Sequence, residues 1–240
     1  MVPQIIAPDY GKHNAMMDES IRRLDKIGVY KDLSTVILIP AFGKVPTKCV
    51  AAWRNLMMPP NQKAYWMWAL GMEVGEAYSQ CVQNILNHPD LSTWKYILTM
   101  EHDNCPPPDG LTLLLESMEN NPEYSCIGGL YWTKGEGGVP QIWGDPKGTL
   151  NFRPQQPKPG ALVECCGTGM GFNLFRMSMF KDAKLRKPWF KTMANMTPEG
   201  AKLYTQDLYA WEDFRKNGHR CAIDCRVMVG HYDSDNDIMY

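Results

Sequence analysis

Residues 99–109 read TMEHDNCPPPD. The apolar run WKYILTM, 94–100, ends on Glu101, His102 and Asp103, and Pro106, Pro107 and Pro108 follow. A continuous apolar run bounded by turn residues predicts a strand buried on both faces, as in a parallel sheet covered by helices. Proline lacks the backbone N–H that a strand needs, so the chain turns away just past the acids. Two carboxylates and an imidazole thus stand at the end of a buried strand. In open α/β sheets that end is where ligands bind.

The flanking sequence extends this pattern. STVILIPAFG, 34–43, runs apolar from Val36 to Ile39 and breaks at Pro40 and Gly43. Residues 47–57 set Val50, Trp53, Leu56 and Met57 at helical spacing before Pro59 and Pro60. A helix is predicted from Glu73 to about Asn87, with Val74, Tyr78, Cys81, Val82 and Ile85 on one face. DGLTLLLESME, 109–119, predicts a helix capped by Asp109, and YSCIGGLYW, 124–132, another strand. The order strand, helix, helix, strand, helix, strand predicts an α/β domain with a mostly parallel central sheet flanked by helices.

Other segments complete the organisation. Met17, Ile21, Leu24 and Ile27 form a helical stripe stopped by Gly28, so residues 1–33 read as an N-terminal helical extension. In residues 131–160, Gly and Pro fill 11 of 30 positions, which predicts a small flexible insertion, a functional loop or an edge hairpin. Tyr131, Trp132 and Lys134 lead into it, and it is assigned to acceptor binding or a lid. CCGTGMGFNLFRMSMF, 165–180, predicts a glycine-rich turn, a strand and a short helix. A helix over 205–217 stopped by Gly218, the strand-like RCAIDCRVMVGH at 220–231 and a polar tail at 233–240 follow.

Composition narrows the function. A chain of 240 residues, 44% hydrophobic and 21% charged, suits one soluble globular domain. A net charge of −1 carries no footprint of a nucleic-acid binder and argues against a DNA duplex as partner. No basic start precedes an apolar stretch, and no run of about 18 apolar residues occurs, so a cytoplasmic setting is expected. The eight cysteines form no CxxC, and Cys165 and Cys166 are adjacent, which favours buried, reduced thiols over a zinc cluster or a disulfide framework.

Carboxylate oxygens suit hard divalent cations that keep positions open for phosphate. On an extended backbone, residues two apart project to the same side, so Glu101 and Asp103 are expected to share an ion while His102 points away. The plainer alternative is an acidic turn that caps the next helix, but Asp109 already stands there. Asp207 opens a helix with Leu208, Trp211 and Phe214 on its apolar face, which suits a cap and leaves a base role open.

Taken together these pieces resemble the GT-A fold glycosyltransferases, especially family-2-like enzymes and compact phage-encoded relatives. VILIPAFG resembles the nucleotide-holding loop, ILTMEHDN the acidic metal motif, and CCGTGMGFNLFRMSMF the glycine-rich segment. TQDLYAWEDFRKNGHRCAIDCRVMVGH resembles the closing block, with Asp207, Gly218 and His231 in the matching places. The resemblance covers residues 34–232 and implies a GT-A-like single domain there. It implies a metal-dependent transfer of sugar from a nucleotide-diphosphate donor of UDP or GDP type to an acceptor hydroxyl, with Asp207 as base. Mn²⁺ or Mg²⁺ would sit on Glu101, Asp103 and His231. Pro40, Ala41 and Phe42, Glu101, His102 and Asp103, and Gly167, Thr168 and Gly169 would meet the nucleotide sugar. The acceptor would be a glycan, a protein or a modified DNA base, and a phage-encoded enzyme would act in the host cytoplasm.

Three departures stand out: Glu101 where the family has Asp, Gln206 beside Asp207 instead of a second acid, and Ala77–Tyr78–Ser79 where an Arg-Asn step is usual. Gln206 favours a second reading, a non-catalytic sugar-nucleotide or carbohydrate-binding protein on the same fold. A nucleotidyltransferase ranks lower, because PAFGKVP is a poor basic phosphate loop.

Overall fold

The computed structural model describes residues 3–6, 21–22, 25–26, 30–198 and 200–240. The stripe predicted over 14–27 therefore lies mostly outside the described residues. The domain is built on an eight-stranded sheet. Its strands are β1 (Gln4–Ile6), β2 (Thr35–Ala41), β3 (Ala64–Leu70), β4 (Tyr96–Met100), β6 (Tyr124–Leu130), β8 (Leu162–Cys165), β10 (Phe172–Arg176) and β13 (Arg220–Met228). They lie in the order β1-β3-β2-β4-β10-β6-β13-β8. β3, β2, β4, β6 and β13 run one way, while β1, β10 and β8 run against them. The sheet is thus mostly but not purely parallel.

Helices cover both faces, as the apolar runs require. Alternate residues of β2 go to opposite sides: Val36 and Leu38 join one core, Ile37 and Ile39 the other. The first core is closed by α2 (Val74–Asn87) and α5 (Gln206–Lys216), through Tyr78, Cys81, Val82 and Ile85 and through Ala210, Trp211 and Phe214. The second is closed by α1 (Thr47–Arg54) and α3 (Gly110–Asn120), through Cys49 and Trp53 and through Leu111, Leu114, Leu115 and Met118. A four-residue helix, α4 (Met177–Phe180), follows β10.

Several expectations need adjusting. AYWMWAL, 64–70, forms β3, although no strand was predicted there, because its burial alternates and a proline pair precedes it. Residues 4–6 of the N-terminal extension pair with β3 as an edge strand. Asp109 stands at the start of α3 but accepts no side-chain cap hydrogen bond, whereas Glu73 caps α2 by accepting from the Glu76 N–H at 3.0 Å. Beyond the main sheet are a hairpin, β11 (Met193–Thr197) with β12 (Gly200–Tyr204), and a short pairing in the Gly/Pro segment, β7 (Ile142–Trp143) with β9 (Gly167–Thr168). The segment 233–240 does not trail as a tail. It folds back as β15 (Ile238–Met239) onto β14 (Gly230–Asp233), which pairs with β5 (Asn104–Cys105). The eight thiols are free, and all but Cys105 are buried. Among the described residues no helix is long and apolar enough to cross a membrane.

Candidate functional site

The parallel strands β2 and β4 end side by side, and their loops share a cavity of about 190 Å³. Pro40, Ala41, Phe42, Glu101, His102 and Asp103 line it, together with Met72 and Val74. The two loops singled out in the sequence are therefore brought together. Phe42 is 70% exposed at the rim, next to Gly43, whose φ of 97° falls in the left-handed region that favours glycine. An aromatic face this open has no packing role and is available for stacking.

The chain does not stay extended past β4. The Asn104 N–H donates to the Glu101 carbonyl at 3.1 Å, closing a turn over 101–104. Strand alternation therefore does not govern this stretch. His102 does not point away but lines the cavity, and the two acids take different partners. Glu101 faces Tyr78 of α2, whose hydroxyl lies 3.4 Å from Oε1. Its backbone N–H donates to Gly171 just before β10, at 3.0 Å. Burial first, then the negative charges of Asp103 and Asp207, push the Glu101 carboxyl up to about 8.

Asp103 belongs to a second group. The β5–β14 pairing sets Asn104 opposite His231, and the Tyr232 N–H donates to the Asp103 carbonyl at 2.8 Å. His231 is thereby carried to Asp103 across 128 residues of sequence, with Nε2 3.4 Å from Oδ2. Lys134 reaches the same oxygen, Nζ to Oδ2 2.5 Å. Burial alone would raise the Asp103 carboxyl, but hydrogen bonds from His231 and Lys134 outweigh it and hold the group well below the usual carboxylate range.

The imidazole is oriented from its other side. Nδ1 of His231 lies 2.8 Å from the Trp132 carbonyl, which can only accept, so Nδ1 carries the proton. Nε2 is thereby turned toward the Asp103 carboxylate oxygen. Tyr131 packs edge-on to the ring, with centroids 5.5 Å apart. Among the described residues no group of three or more His, Cys, Asp and Glu side chains is placed to hold a metal ion. Glu101 does not join Asp103 and His231 in such a cluster.

Asp207 sits in the first turn of α5, nearly fully buried, with Oδ1 accepting from the Leu208 N–H at 2.9 Å. Burial raises its carboxyl above the ordinary value. α5 is fixed behind it by Trp211, which stacks on Phe175 of β10 at 6.0 Å and donates Nε1 to the Thr168 carbonyl at 2.9 Å. That contact also accounts for the glycine-rich segment. A Cβ at Gly167 would stand 2.9 Å from the Trp211 ring, and one at Gly169 would collide with Tyr131 Oη and Gln141 Oε1. Neither has positive φ, so close packing and not turn geometry calls for glycine here. Thr168 between them is fully buried. Tyr131 and Lys134, which lead into the Gly/Pro-rich segment, complete the site together with Tyr78, which its contact with Glu101 identifies.

No family model and no curated protein sequence matches the chain. Solved structures do. A197 from STIV superposes with a TM-score of 0.58 at 13% identity, over 86% of this chain and 92% of its own. GalNAc-T7, solved with UDP, GalNAc and Mn²⁺, superposes with a TM-score of 0.55 at 10% identity, over 84% of this chain and 44% of its own. At such identities the likeness speaks for the fold alone: the chain has a GT-A-like glycosyltransferase fold.

Proposed function

We propose that the protein is a glycosyltransferase that moves a sugar from a nucleotide-diphosphate donor of UDP or GDP type to an acceptor hydroxyl, with a divalent cation at Asp103 and His231. The reading rests on one observation above all. An imidazole Nε2 whose tautomer is set by the Trp132 carbonyl faces the Asp103 carboxylate at 3.4 Å, beside the cavity formed by Pro40–Phe42 and Glu101–Asp103.

The donor set fits such an ion. One imidazole nitrogen and one carboxylate oxygen suit Mn²⁺ better than Mg²⁺, which takes oxygen ligands, and two protein ligands leave positions for donor oxygens and water. When bound, the ion would offset the charge that develops on the diphosphate leaving group. The remaining roles fall to the chain itself. Phe42 would stack on the nucleobase. Asp207, whose carboxyl is raised by burial, would take the proton from the acceptor hydroxyl, and Glu101 would hydrogen-bond the donor from beside Tyr78. Segment 131–160, whose first residues already touch Asp103 and His231, would shape the acceptor side.

GalNAc-T7 with UDP, GalNAc and Mn²⁺ supports this choice of donor and metal. Gln206 in place of a second acid supports the alternative of a protein that binds a sugar nucleotide without turnover. Thermal shift with a panel of nucleotide sugars, with and without Mn²⁺, identifies the donor. Hydrolysis of that donor is then expected to require Mn²⁺ and to fall about 10²–10⁴-fold in Asp207→Asn. A wild type as inert as this variant, with a donor that demonstrably binds, would overturn the enzyme in favour of the binding protein.

A further inference from the structure

Lys134 occupies a position that the proposed cation would need. Its ammonium and His231 Nε2 converge on the same oxygen, Asp103 Oδ2, at 2.5 and 3.4 Å. The carboxylate is sheltered, 17% exposed, while the Lys134 ammonium reaches it from the surface, its side chain one-third exposed.

The loop carrying Lys134 is built to present it. The Thr133 N–H donates to the Val139 carbonyl at 2.9 Å, and Thr133 Oγ1 accepts from the Val139 N–H at 2.9 Å, which closes a small tongue over 133–139. Within the tongue Gly135 and Gly137 have φ of 96° and 72°, and a Cβ at either would meet nothing within 4 Å. The tongue is therefore held at its base and free of packing at its tip. Its base is Trp132, whose carbonyl fixes His231. One short segment thus holds both groups of the proposed metal pair, one by a carbonyl and one by an ammonium.

We propose that Lys134 is a built-in counter-ion that competes with the divalent cation for Asp103: it neutralises the carboxylate in the donor-free protein and leaves it when the metal binds. This rests on the reading of Asp103 and His231 as metal ligands. The physical reason is that one carboxylate oxygen cannot serve two cations at contact without their mutual repulsion weakening both. Competition of this kind is reciprocal. Whatever Lys134 takes from metal affinity, the metal takes from the hold on the tongue. Lys134 is here a positioning residue, acting through Asp103.

Two measurements on the full chain test this without any turnover. The first is Mn²⁺ binding without nucleotide, followed by electron paramagnetic resonance, for wild type, Lys134→Met and Asp103→Asn. Lys134→Met is expected to bind Mn²⁺ about tenfold more tightly than wild type, and Asp103→Asn to bind it weakly or not at all. The second is trypsin cleavage after Lys134. Mn²⁺ is expected to accelerate it in wild type, and Asp103→Asn to be cleaved fast with or without the metal. Equal Mn²⁺ affinity in wild type and Lys134→Met, or cleavage unmoved by Mn²⁺ that does bind, would overturn the competition and leave the metal site standing. Failure of all three proteins to bind Mn²⁺, even with UDP added, would overturn the metal site and the competition together.

Discussion

Replacing Asp207 by Asn keeps the shape of the side chain and removes its charge, which separates its cost to stability from its use. A free carboxyl titrates near 3.9, and burial raises that of Asp207 in the folded chain. As pH climbs, the unfolded chain releases this proton first, so the folded state loses stability between the two values and does not regain it above them. Asp207→Asn is therefore expected to match wild type near pH 4 and to melt higher at pH 7–8, while losing transfer. Thermal melts of both proteins across that range check it; a variant less stable at neutral pH would contradict the burial argument. The glycines offer a second comparison. Gly167→Ala is expected to cost about 1–3 kcal/mol, because its Cβ meets the Trp211 ring at 2.9 Å. Gly148→Ala, whose Cβ meets only the Asp145 carbonyl at 3.9 Å, should stay within about 0.5 kcal/mol in urea unfolding.

At the scale of elements, the small sheet β5–β14–β15 is what brings His231 to Asp103. The Tyr240 and His231 backbones exchange two hydrogen bonds, at 2.9 and 3.0 Å, and Tyr232 donates its hydroxyl to Asp237 at 2.6 Å. Ending the chain at Asp233 removes these supports without touching the main sheet. Such a chain is expected to keep its far-ultraviolet circular dichroism and lose about tenfold or more in Mn²⁺ affinity. Intact affinity would show that β5 alone positions the histidine. Beyond the strand-like run that ends at His231, this sheet could not be read from sequence, since the two-residue strands β5 and β15 have no periodicity. By contrast β2, β4, α2 and α5 were legible, because continuous apolar runs and a 3.6-residue spacing report burial directly. The Lys134–Asp103 contact was hidden for another reason: it joins residues 31 apart through a glycine-rich segment whose conformation no local pattern encodes. The acids of EHD were located correctly at the strand end, but their directions depended on a turn hydrogen bond and not on strand alternation.

At the scale of the molecule, the mostly parallel sheet was legible from the alternation of strands and helices, whereas the antiparallel strand at its centre was not. Phe172–Arg176, read as a strand of unknown place, lies between β4 and β6 and pairs with both. Its insertion sets Gly171 against Glu101 and Phe175 against Trp211, so the acid at the cavity and the helix bearing Asp207 are both referenced to one strand. This has a consequence for how the chain is made. During synthesis β4 and β6 are complete some forty residues before their common neighbour has left the ribosome. Until then two apolar strands stand with open edges facing an empty slot, the condition in which strands pair with other chains. The Gly- and Pro-rich residues 131–160 occupy that interval, and their poor aptitude for strand formation keeps the slot free for the segment that belongs in it.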